Sequence, residues 1–108
     1  MKESNRELIR KAMLEVLEHA LIAIRSEARL VLKGVSPEGP VSSIHNIADI
    51  VHYFPEMLSD PSRFSLERYR EHLDQCSIDG AWPSGLVLQA LRRLESVVED
   101  VRRDEAAV

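Results

Sequence analysis

The chain has 108 residues, of which 44% are apolar and 30% charged, and its 14 Lys and Arg against 18 Asp and Glu leave a formal charge of −4. That balance describes one small globular domain, 1–108, rather than a disordered or membrane-spanning chain. The single cysteine, Cys76, excludes an internal disulfide and a multi-cysteine zinc site and suits a reducing, cytoplasmic compartment. Net acidity without a basic block argues against nucleic acid as the main ligand, because phosphate binding is dominated by Lys and Arg.

The first element expected is a long helix from Ser4 or Asn5 to Lys33, with Leu8, Ala12, Met13, Val16, Leu17, Ala20, Ile24, Ala28 and Val31 in one broad stripe. Ser4 or Asn5 is the expected cap, and Gly34 supplies the left-handed residue that ends helices. Arg10, Lys11, Glu15 and Glu18 break up any export-signal core, and the longest apolar run here is Ala20 to Ile24, too short to cross a bilayer. A helix about 40 Å long exceeds what a core of this size needs, which points to self-association as a homodimer.

Gly34 to Val41, with Pro37 and Pro40, reads as a loop. A second helix is then expected from Ser42 or Ser43, with Ile44, Ile47, Ala48, Val51 and Phe54 inward, stopping or kinking at Pro55. Asp60-Pro61 and Ser65 are alternative starts for a third helix bearing Phe64, Leu66, Tyr69 and Leu73. After a break from Ser77 to Gly85, a fourth is expected from Ser84 to Arg103, with Val87, Leu91, Leu94, Val98 and Val101 inward and a disordered tail at about 104–108. No strand pattern is present. The fold class is therefore all-α: a four-helix antiparallel bundle with long first and last helices.

The chemistry-bearing pattern lies on the second helix. His45, Asp49 and His52 are spaced i, i+4, i+7 and fall within about 60° of arc, and a helix continuing past Pro55 would add Glu56. Imidazole and carboxylate groups on one face suit a divalent metal or a proton-transfer site, with His72, Glu71 or His19 as further ligands. The competing reading is a solvated face, because the apolar stripe of this helix lies opposite.

Glu27 falls near the centre of the first helix's apolar stripe and suggests a buried acid, a carboxylate paired with an Arg or His that fixes helix register, or a position just beyond the core. The Arg68 to His72 segment is too closely spaced for a helical ribonuclease pair. Cys76 reads as a small helix-end residue, and Trp82 as a plug for the bundle or an anchor for a partner.

The segment Ile47-Ala48-Asp49-x-x-His52-x-x-Pro55, preceded by a helix carrying Ala20-Leu21-Ile22-Ala23-Ile24-Arg25, resembles a group of small, all-helical bacterial proteins of uncharacterised function. The resemblance covers the first half of the chain and implies a helical fold and a bacterial cytoplasmic home, with no activity attached. The leading expectation is a non-enzymatic protein-interaction module without a cofactor, bound to neither nucleic acid nor membrane. By analogy, small acidic helical proteins include inhibitors and immunity-type partners of basic toxins. The alternative is a metal-binding regulator or metal-dependent hydrolase using His45, Asp49 and His52.

Overall fold

A computed structural model describes residues 1–78 and 85–107 of the chain. Its principal helices are α1 (Glu3–Leu32), α2 (Glu38–Val51), α4 (Leu66–Ile78) and α5 (Gly85–Ala106). A short α3 (Phe54–Ser59) and a 3-10 turn (Pro61–Arg63) join α2 to α4. The all-α bundle with long first and last helices is thus the observed architecture.

Local chemistry explains each boundary. Gly34 adopts φ +91°, and the Gly34 and Val35 amides donate to the Val31 and Leu30 carbonyls, both at 3.0 Å. This is the two-bond stop that glycine permits after a helix. Helix α2 begins at Glu38, not at Ser42 or Ser43, so the expected loop is shorter than its glycines and prolines suggested. Pro40 is tolerated because the first-turn amides of a helix have no intrahelical acceptor to lose. At the far end, α2 stops at Val51, and Pro55 becomes the second residue of α3.

Both candidate starts for the next helix are used. Asp60 accepts from the Ser62 amide at 3.3 Å and caps the 3-10 turn, while the Ser65 hydroxyl accepts from the Arg68 amide at 3.3 Å and caps α4.

Helices α1 and α5 pack antiparallel. At one end the Asn5 side chain donates to Asp104 at 2.8 Å and to Glu105 at 2.9 Å, and the Lys2 amide donates to Glu105 at 2.9 Å. Asn5 is therefore a buried clamp and not a helix cap: Lys2 occupies the capping position. The two carboxylates also meet the positive end of the α1 dipole. Helix α5 continues to Ala106, so the expected tail at 104–106 is helical and tethered. Further along, Arg93 pairs with Glu15.

The core lies at this end of the molecule. Ile9, Met13 and Val16 of α1 meet Phe54, Tyr69, Leu91 and Leu94, all nearly or completely buried. The Tyr69 hydroxyl donates to the Leu91 carbonyl at 2.7 Å and fixes α4 against α5. Burial raises its pKa well above the ordinary phenol range. On the rim, Arg102 grips Glu67 through two bonds of 2.9 and 3.1 Å, and Arg70 binds Glu95 and Glu99.

The α1–α5 register, with Asn5 opposite Asp104 and Glu15 opposite Arg93, brings the first residue of α5 level with about residue 23 of α1. Beyond that level α1 continues for another nine or so residues, with α2 folded back beside it. The molecule is accordingly elongated, 56 × 23 × 21 Å. No side chain from residue 21 to 35 is buried, and Leu8 and Ala48, expected inward, are exposed.

Candidate functional site

The polar face of α2 and the turn that follows it form the candidate site. Because Ile47 and Ile50 point inward, His45, Asp49 and His52 are left outward, and all three are exposed. They line a shallow depression of about 240 Å³ together with Ala48. The expected grouping on one face is therefore present.

Its internal bonding differs from a ligand set. His52 Nδ1 lies 2.7 Å from the backbone carbonyl of Asp49, not from its carboxylate. The Asp49 carboxylate points across to α4, where His72 Nδ1 is 3.6 Å away. His72 also meets the His52 ring edge-on at 6.3 Å and stacks on Tyr53 at 5.4 Å. Helix α4 thus supplies the partner of Asp49. Among the described residues no three His, Cys, Asp or Glu side chains are grouped so as to hold a metal ion.

Glu56 does not extend the stripe by helical continuation, since the chain turns at His52 and Tyr53 before α3 begins. It instead joins His52, Tyr53, Met57, Arg63 and Arg68 around an adjoining cleft of about 370 Å³. Tyr53 is half-buried, its hydroxyl has no hydrogen-bond partner among the described residues, and burial pushes its pKa up to about 12. Arg63 and Arg68 have no carboxylate within ion-pair distance among the described residues. The cleft mixes charges, with Glu56 opposing any anion the guanidinium groups would attract, and it carries no activated nucleophile.

The cleft was missed in the sequence because its residues come from the α2–α3 turn, the 3-10 turn and α4, and no single-helix periodicity connects them. Glu27 is half-buried and lies past the level where α5 begins, so it falls just beyond the bundle's core, the last of the expected readings. The Cys76 side chain and Trp82 lie outside the described residues.

A second surface was signalled only by helix length. Leu14, Leu21 and Leu32 of α1 are 52%, 66% and 86% exposed, and Val35 and Val41 of the following turn and α2 are 46% and 52% exposed. Scattered apolar residues are ordinary on a protein surface, but these run from Leu14 in the bundle half of α1 out along the projecting arm. Compared with protein-family models, curated proteins and solved structures, the chain shows no match.

Proposed function

We propose that this protein is a non-catalytic interaction module whose binding surface is the α1–α2 arm. The observation that supports the reading is the distribution of exposed apolar side chains. The inward residues of the bundle half, Ile9, Met13 and Val16, are almost completely buried and Leu8 and Leu14 about half exposed, whereas the arm leaves Leu21 and Leu32 two-thirds or more exposed. A contiguous apolar surface of this kind is the usual mark of a protein-binding face. Among the described residues the polar site next to it has neither a grouped ligand set nor an activated nucleophile. A cytoplasmic setting accords with the single cysteine, and no described helix is long and apolar enough to cross a membrane.

A photo-crosslinking residue introduced at Leu21, with a control at Arg92 on the bundle surface, tests this reading in the producing cell. A discrete adduct from the Leu21 position alone is the expected result. No discrete adduct from Leu21 or from a second arm position, Leu32, would contradict the reading.

A further inference from the structure

The identity of the partner follows from the pattern on the arm, and this step rests on the interaction reading above. Leu14, Leu21 and Ala28 recur every seven residues along α1, with Leu17, Ile24 and Val31 between them at alternating steps of three and four. This is the 3.5-residue repeat by which helices pack against other helices along a straight seam. At 100° per residue Leu14, Leu21, Ala28 and Leu32 fall within about 40° of arc, turned away from both the core and α5. Leu17, Ile24 and Val31 lie beside them, half-buried towards α2.

Helix α2 continues the same surface. Val41, Ile44, Ala48 and Val51 repeat at steps of three, four and three, with Val41 and Ala48 exposed and the other two half-buried. Val41, Ile44 and Val51 lie away from the flank on which Asp49 meets His72 of α4 and beside the outer flank of α1, while Ala48 borders the depression that Asp49 also lines. The result is a two-helix layer with an apolar outer face.

The exposed parts of Leu14, Leu21, Leu32, Val35 and Val41 amount to on the order of 500 Å² of apolar surface, close to the apolar share of the roughly 800 Å² each partner contributes to a standard interface. The area is therefore sufficient for a stable pair.

Charge selects the partner. Glu18 and Arg25 border the seam, both exposed, and neither forms an ion pair among the described residues of this chain. When two α1 helices lie antiparallel about a two-fold axis at Leu21, Glu18 of each copy comes within one residue step, about 1.5 Å along the axis, of Arg25 of the other. Leu14 then faces Ala28, a large residue against a small one, and Leu21 faces its own copy. A two-fold interface requires such self-complementarity. We infer that the outer face of the α1–α2 layer binds a second copy of this chain, joining two arms into a four-helix assembly with the bundle ends pointing apart.

Sedimentation equilibrium across the micromolar range, with circular dichroism to verify folding, tests the inference. The wild-type chain is expected at twice its 12.3 kDa mass. Leu21→Glu, at an exposed position the monomer does not need, is expected to remain helical and to weaken association at least tenfold. Glu18→Arg and Arg25→Glu are each expected to weaken self-association, and an equimolar mixture of the two to restore it, because each variant then meets opposite charges on both sides of the axis. A wild-type chain that stays monomeric would overturn the second-copy inference, as would a dimer indifferent to Leu21→Glu or a mixture no stronger than either variant alone. A discrete crosslink from Leu21 to a different protein, beside a monomeric wild type, would leave the interaction reading standing and remove only this one.

Discussion

The two halves of α1 have similar apolar content but different neighbours. From Asn5 to Ala20 the inward residues are almost completely buried against α5 and the elements around Phe54 and Tyr69. From Leu21 to Leu32 no side chain is buried, although four of the first seven positions in that stretch are apolar. The helix does not change character at residue 21; its cover does, because α5 begins only there. Helical propensity is sufficient to carry Ala, Leu, Arg and Glu through the second half, but tertiary packing is what stabilises the first.

The comparison predicts the largest effect for truncations at matched leucines. Leu94→Ala, at a fully buried position, is expected to cost about 3 kcal/mol of unfolding free energy, whereas Leu32→Ala, 86% exposed, is expected to cost less than about 0.5 kcal/mol in dilute solution. Urea titration of both variants decides it, and equal losses would show that the arm is as tightly packed as the bundle.

The clamp at the bundle end should give the next effect. Asn5→Ala removes two donors from a buried position and is expected to cost about 1 to 2 kcal/mol, with amide exchange accelerating first at the last turn of α5. Exchange unchanged at 101–106 would mean that the clamp is not what holds the two termini together.

Acid should weaken the same end selectively. The Arg102 hydrogen bonds hold the Glu67 carboxyl down at about 2 from its ordinary 4.5, and Asn5 lowers both Asp104 and Glu105. A carboxylate whose pKa is depressed by folding contributes its stability above the unfolded value and loses it as pH falls through the folded one. Stability is therefore expected to decline from about pH 4.5 towards pH 2, with a shallower decline in Glu67→Gln. Screening by solvent keeps this effect small at such exposed positions.

The bundle was largely legible in the sequence. The inward residues of the later helices, Tyr69, Leu73, Leu91, Leu94 and Val98, were all readable from helical spacing, and Gly34 and Pro55 each marked a true break. The start of α2 was misread because Gly39 and Pro40 look like loop residues, yet both fit the first turn of a helix. The polar site was legible only in part. His45, Asp49 and His52 do share a face, but the partner of Asp49 is on α4, and a contact between distant segments leaves no periodic trace. The outer seam was hidden for a different reason: Leu14 and Leu21 lie beside a broader stripe that already accounted for the core, and only the position of α5 shows that stripe to be two surfaces.

The smallest expected effect concerns the polar face. Calorimetric titration with zinc is expected to give the same weak, unsaturated signal for the wild-type chain and for His52→Ala, since the Asp49 carboxylate faces His72. Saturable binding near one ion per chain, abolished by the substitution, would restore the metal reading of His45, Asp49 and His52.

The most direct test of the account is amide hydrogen exchange along α1 in dilute and concentrated solution. If the arm is a binding surface for a second copy, amides from 21 to 32 should gain protection as concentration rises, while those from 90 to 101 of α5, on the side of α1 away from the seam, should not change. Equal exchange of residues 21 to 32 at both concentrations would contradict the claim that the exposed half of α1 pairs with itself.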